Sequence, residues 1–177
     1  MQLILPSALF ALLATVTYSL PGHRDYLLPL LFLLLPYLDR KWHAPRLFPN
    51  TRLAALWLVS MLAIAALLLA YPRTLMPFLR ILLLAALPEE WFFRGYLQKR
   101  YGNGTVAILI VSLMFSLLHF LTRDIEAALL VFVPSVTFGW LYQKTGDLLL
   151  IVLVHALSNL VYFIYLQEFF TELLRQT

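Results

Sequence analysis

Apolar runs of about 13 to 20 residues, each closed by a short polar turn, follow one another from Leu3 to Leu166, and a helix needs about 20 residues to cross a hydrocarbon core. A chain patterned in this way has little choice of solvent. With 62% hydrophobic and 12% charged residues and a mean hydropathy of +0.85, it has too few polar groups to build a water-facing surface. The sequence therefore predicts an integral membrane protein. The runs lack the two-residue alternation of a membrane barrel, and a helix keeps its backbone hydrogen bonds inside the segment. The expected fold is an all-α, polytopic transmembrane helical bundle of about seven spans, or six to eight given the short segments. With no internal repeat and no linker, residues 1–177 read as a single integral membrane domain.

The net charge of +4 does not mark a nucleic-acid surface, because the lysines and arginines stand singly or in small groups at the ends of spans, where they orient the chain in the bilayer. No nucleic-acid partner is expected. The absence of cysteine excludes disulfides, thiolate metal sites and cysteine nucleophiles.

Leu3 to Leu20 reads as a first span, lacking the charged leader of a removable signal peptide. After the turn at Pro21 and Gly22, the run Tyr26 to Leu38 is short, and Pro29 and Pro36 predict a kinked, tilted or re-entrant segment. Asp39 to Arg52 carries Arg40, Lys41, Arg46 and Arg52 and is expected in the cytoplasm. Leu53 to Tyr71 is the clearest span, with Trp57 and Tyr71 as interfacial aromatics, and Leu75 to Leu97 follows it. Thr105 to Leu121, Ile125 to Tyr142, interrupted at Pro134, and Leu148 to Leu166 complete the series. Gln167 to Thr177 reads as an amphipathic tail on the membrane surface.

Against this background four polar positions lie well inside apolar helices: Glu89, Glu90, His119 and His155, with Arg94 one turn after the glutamates. Ionisable groups at such depth are costly and mark function by default. Glu90 and Arg94, four apart, can pair on one helix face, whereas Glu89 is rotated by about 100° and keeps its carboxylate available. Pro88 predicts a kink or restart of the helix where the glutamates begin. His155 and Asn159 share a face four residues apart, and Asn159 is the only asparagine inside a span.

Peptide hydrolysis needs a base to activate water and donors to stabilise the tetrahedral oxyanion. Glu89 can serve as the base, His119 can help to hold the water, and His155 with Asn159 can donate to the oxyanion. The parts of other designs are missing: no span contains an aspartate for an aspartyl dyad, no Gly-x-Ser element offers a serine nucleophile, and there is no His-Glu-x-x-His motif. Counted from the turn at Gly102, Glu89 and His119 differ in depth by about four residues, or roughly 6 Å at 1.5 Å per residue. A shared site requires tilt or side-chain reach to absorb that.

Glu-Glu-x-x-x-Arg at 89–94, Phe-x-x-x-His at 115–119 and His-x-x-x-Asn at 155–159, in that order on membrane helices, resemble the CAAX protease and bacteriocin-processing (CPBP, or Abi) intramembrane proteases. The motifs lie within 88–159, and the N-terminal half has none to match. The resemblance implies a glutamate-dependent intramembrane endopeptidase with Glu89 as base, His119 as its partner, His155 and Asn159 as the oxyanion site, and Glu90 and Arg94 in support. The implied partners are the lipid bilayer and a membrane-associated protein or peptide substrate, of CAAX, sorting-segment or bacteriocin type. The expected location is a bacterial inner (cell) membrane, crossed more than once. No metal or other cofactor is expected.

Two competing readings use the same residues. Glu89, His119 and His155 could form a two-histidine, one-glutamate zinc set, against which Asn159 counts as a poor zinc ligand and an apt oxyanion donor. Alternatively, intramembrane Glu and His could serve a proton-coupled carrier, or merely hold together a binding protein that confers immunity to a membrane peptide. Trp91, Phe92 and Phe93 are expected to pack or anchor at the interface and not to read substrate.

Overall fold

The computed structural model describes residues 3–20, 24–45 and 51–166, and every regular element among them is helical. Helix α1 is Ile4–Ser19, α2 is Arg24–Leu34, and α3 is Ala54–Ala70. A continuous helix, 75–98, carries the glutamates and is built from α4 (Leu75–Arg80), a π-helical stretch Ile81–Ala86, α5 (Leu87–Glu90) and a second π-helical stretch Trp91–Gln98. Helices α6 (Thr105–Thr122), α7 (Ile125–Thr145) and α8 (Leu148–Val161) complete the bundle, α8 running on as a π-helical turn, Tyr162–Leu166. The turn at Pro21 to His23, Arg46 and the tail Gln167 to Thr177 lie outside the described residues.

Among the described residues, four helices are by length and composition able to cross a membrane: 51–70, 105–122, 125–145 and 148–166. Ile4–Ser19 and Tyr26–Leu38 are apolar but shorter. Helix 75–98 is long enough, yet Arg80, Glu89, Glu90 and Arg94 interrupt its apolar character. Outward-facing side chains such as Leu58, Leu62, Leu69, Val106 and Leu113 are strongly exposed, which suits hydrocarbon in place of water. This is the surface of an integral membrane protein.

The prolines behave differently from their sequence expectation. Pro29 sits inside α2, and only Pro36 changes the local structure, opening the 3₁₀ turn Leu35–Leu38. Pro134 lies within an uninterrupted α7. Around Pro88 the helix neither breaks nor restarts: Ala86, Leu87, Glu90 and Trp91 all keep right-handed helical angles. Proline removes one i→i−4 hydrogen bond and crowds the preceding turn. Here the preceding turn is widened into a π-helix, with the Leu87 N–H bonded to Leu82 O, so the ring is accommodated without a break.

Helix 75–98 is the axis of the bundle. All eight residues from Trp91 to Gln98 are buried, and Trp91, Phe92 and Phe93 form the centre of a core with Leu9, Phe10, Phe32, Val111, Phe115 and Ile151. Phe93 meets Phe115 edge-on at 4.9 Å between centroids, and Phe32 lies 5.4 Å from Phe92. The three aromatics are thus packing residues. Its other half packs with α3 and α8 through Ile64, Phe78, Ala86, Val152, Ala156 and Leu160.

Polar groups lock the ends. Asp124 accepts from Ala127 N–H and starts α7, and Asp147 accepts from Leu150 N–H and starts α8. Trp57 also donates to Asp147, at 2.9 Å, joining α3 to the start of α8. The segment after α2 is tied down as firmly: Asp39 pairs with Arg100 at 2.8 Å, and Trp42 donates its indole N–H to Gly95 O at 2.8 Å.

Candidate active site

The catalytic candidates meet on the inner half of helix 75–98. Glu90, Arg94 and His155 are buried, whereas Glu89 keeps part of its side chain accessible. The predicted ion pair is present, with Arg94 Nε 3.2 Å from Glu90 Oε2. Further hydrogen bonds to its polar atoms offset the cost of a charge pair at this depth. Arg94 Nη2 reaches α7, donating to Ser135 O and Ser135 Oγ at 2.9 Å each, while Nη1 is buried without a hydrogen-bond partner and the guanidinium lies 5.5 Å from the centroid of the Phe115 ring. Ser135 had no signal in the sequence beyond being a small polar residue in mid-span.

Glu90 has a second partner. His155 Nδ1 lies 2.7 Å from Glu90 Oε1, a hydrogen bond in which the ring N–H donates to the carboxylate. The ring stacks on Phe138 at 4.9 Å and 26° and meets Phe115 edge-on. Fixed in this way, its other nitrogen faces the neighbouring glutamate, with Nε2 3.7 Å from Glu89 Oε2. One imidazole thus bonds to Glu90 and lies beside Glu89. The sequence reading had both His155 and Asn159 directed at an oxyanion; the structure commits Nδ1 of His155 to Glu90 and leaves Nε2 toward Glu89.

Glu89 and His119 line the same cavity, of about 460 Å³. The depth difference anticipated from residue counting does not separate them. His119 Nδ1 bonds to Phe115 O at 3.0 Å, within its own helix, and its ring packs on Phe115 at 4.4 Å between centroids. With Nδ1 donating to a carbonyl, Nε2 is the nitrogen free to accept. The cavity is walled by α2, the 75–98 helix and the end of α6, and its polar lining is Glu89, His119, Thr122, Arg80 and Arg123, with Tyr26 at one edge.

Asn159 stands one turn beyond His155 on α8, is half-buried, and is absent from the lining of this cavity. Among the described residues no three His, Asp or Glu side chains are arranged to hold a metal ion. The cavity reaches Tyr26, Thr122 and Arg123, at the α1–α2 and α6–α7 end of the bundle. That is opposite to the helix ends that carry Arg40, Lys41, Arg100 and Lys144, the side on which the charge bias led us to expect the opening. The described start of the long polar connection, Asp39 to Pro45, is tied there to Gly95 and Arg100 through Trp42 and Asp39.

The all-α bundle thus buries Glu90, Arg94 and His155 as a network beside the accessible carboxylate of Glu89. A family model described as type II CAAX prenyl endopeptidase, Rce1-like, matches residues 71–161, just over half of the chain, and the chain belongs to this family of CAAX proteases. No curated protein and no solved structure matches it.

Proposed function

We propose that the protein is a glutamic-type intramembrane endopeptidase in which Glu89 activates the attacking water. The observation that carries this reading is the shared cavity: a partly accessible carboxylate and a histidine with a free Nε2 line about 460 Å³ of space inside an apolar bundle. In this mechanism a water sits between Glu89 and His119 Nε2. Glu89 takes its proton as the oxygen attacks the peptide carbonyl, and returns the proton to the departing amine. Glu90 orients His155, and Arg94 holds Glu90 in place. Asn159 supplies the donor to the oxyanion; this role rests on its place one turn from His155 and not on the cavity lining.

The substrate is a membrane-associated protein or peptide, cleaved near the membrane surface. The chain resides as a multi-pass protein in a bacterial inner membrane. The deciding experiment compares cellular membrane-protein C-termini and small peptides by mass spectrometry, wild type against Glu89→Gln at matched expression. A defined fragment that vanishes in the variant is expected. Identical profiles, in cells whose phenotype still depends on the protein, would transfer the site to a carrier or an immunity protein. Chelation of the purified enzyme is expected to leave turnover unchanged; loss of activity together with one bound zinc per chain would favour the two-histidine, one-glutamate reading.

A further inference from the structure

Two side chains outside the three motifs touch the buried network from a further direction, and both belong to α7. Ser135, fully buried, accepts from Arg94 Nη2 through its carbonyl and its hydroxyl at 2.9 Å each. Phe138, three residues on, lies stacked on the His155 imidazole, with 4.9 Å between centroids and 26° between planes. Positions three or four apart on a helix share a face, so one face of α7 meets helix 75–98 and α8 together. Gly139, four on from Ser135, belongs to the same face, and its carbonyl accepts from Gln98 Nε2 at 2.9 Å. Arg94 with Gln98, and Ser135 with Gly139, are each about one turn apart. The two sets of bonds thus act as rungs that fix the register of α7 against the central helix.

The contacts of Ser135 and Phe138 converge on one hydrogen bond. His155 Nδ1 donates to Glu90 Oε1 at 2.7 Å, and Glu90 Oε2 faces Arg94 Nε at 3.2 Å. A bond at Nδ1 restrains the imidazole at one atom, whereas the torsion that turns the ring plane is broad in histidine. The face of Phe138 sets that plane, and with it the place of Nε2, 3.7 Å from Glu89 Oε2. On the carboxylate side, Glu90 stays in place because Arg94 does. Arg94 Nη1 is buried without a hydrogen-bond partner, which leaves Ser135 and Glu90 to aim the guanidinium.

We propose that Ser135 and Phe138 are positioning residues for the hydrolysis: acting through Arg94 and His155, they hold the bond between Glu90 and His155 and so the imidazole edge that faces Glu89. This rests on the peptidase reading above. Neither side chain lines the cavity, so losing either should lower turnover without weakening substrate binding.

The test uses the full chain in phosphatidylcholine nanodiscs, carrying isotope-labelled histidine for proton–nitrogen NMR. The chain has four histidines, few enough to assign each ring N–H, and His155→Gln identifies the Nδ1 proton shared with Glu90. Cleavage of a fluorescein-labelled random octapeptide pool is followed in parallel. The wild-type protein should show this proton far downfield, as a short bond to a carboxylate requires. Phe138→Leu and Ser135→Ala should each shift or broaden it and lower the maximal rate by about three- to tenfold, with the half-saturating concentration unchanged. Phe138→Tyr keeps the ring and Ser135→Thr keeps the hydroxyl, and each should retain the resonance and most of the rate. An unmoved resonance in both Phe138→Leu and Ser135→Ala overturns the proposal, even where the rate falls together with the thermal midpoint, because the two residues would then serve packing alone. A moved resonance with an unchanged rate overturns it too. A resonance that moves as expected, in a protein whose wild type cleaves no member of the pool, upholds the hold on His155 and counts against the peptidase assignment.

Discussion

At the scale of single residues, the two adjacent glutamates should behave as different kinds of group. Glu89 is partly accessible and faces the cavity, and its replacement by Gln keeps size and hydrogen bonding while removing the base. Turnover should fall by about 10²- to 10⁴-fold, with an unchanged thermal midpoint in detergent. Glu90 is fully buried between Arg94 and His155. Glu90→Gln leaves the Arg94 charge without its partner, which costs about 3–5 kcal/mol for pairs of this type. The unfolding midpoint should drop sharply, and Glu90→Gln/Arg94→Met should recover much of the stability without recovering activity. A midpoint unchanged by Glu90→Gln would mean that the network does not hold the helices. The split between the glutamates was legible in the sequence, because residues one apart on a helix diverge while those four apart align. The bond from His155 to Glu90 was not, since the two positions are 65 residues apart and no local pattern reports which helices adjoin.

At the scale of elements, the helix carrying Glu89 is held by contacts that local sequence rules do not contain. Apolar run length announced the helices, and the turn around Gly102, Asn103 and Gly104 marked where two of them join; Gly102 and Asn103 indeed have positive φ. Proline rules alone suggested breaks at Pro88 and Pro134, whereas π-helical turns and neighbouring helices absorb the rings. Close helix approach was equally hidden. A Cβ on Gly139 would lie 2.9 Å from Ile108 Cγ2 and 3.0 Å from Gln98 Oε1, so α7 can sit against α6 and the central helix only through a glycine. Gly139→Ala should lower stability by about 1–3 kcal/mol, and adding Ile108→Ala should return part of it, a non-additivity measurable by a double-mutant cycle. Trp42→Phe keeps the aromatic cluster with Tyr37, Trp91 and Tyr96 but deletes the donor to Gly95 O, and should cost about 1–2 kcal/mol. Additive effects of the Gly139 and Ile108 changes would show that the contact is not what fixes the spacing.

At the scale of the whole molecule, the position of the cavity sets which side of the membrane a substrate must come from. Its rim lies at Tyr26, Thr122 and Arg123, while Arg40, Lys41, Arg100 and Lys144 gather at the opposite ends of the helices. Basic loops favour the cytoplasm, so the charge distribution puts the rim on the far side. Helix α7 measures this directly, because it runs from Ile125, beside the rim, to Thr145, beside the basic loops, a length of about 31 Å that matches a hydrocarbon core of about 30 Å. The chain contains no cysteine, so a single thiol introduced at either end has no background. Glu126→Cys and Lys144→Cys are both at exposed positions and should be labelled by a membrane-impermeant maleimide from opposite faces of intact cells or inverted vesicles. Labelling of Lys144→Cys only in inverted vesicles would make the cavity open away from the cytoplasm and require a substrate, or a substrate segment, that is exported before cleavage. The reverse pattern would show that the bias of basic residues is overruled and that the cavity draws its substrate from the cytoplasm. Labelling of both thiols from one face would mean that α7 does not cross the bilayer, and the assignment of this bundle as a multi-pass protein would lose its best single span.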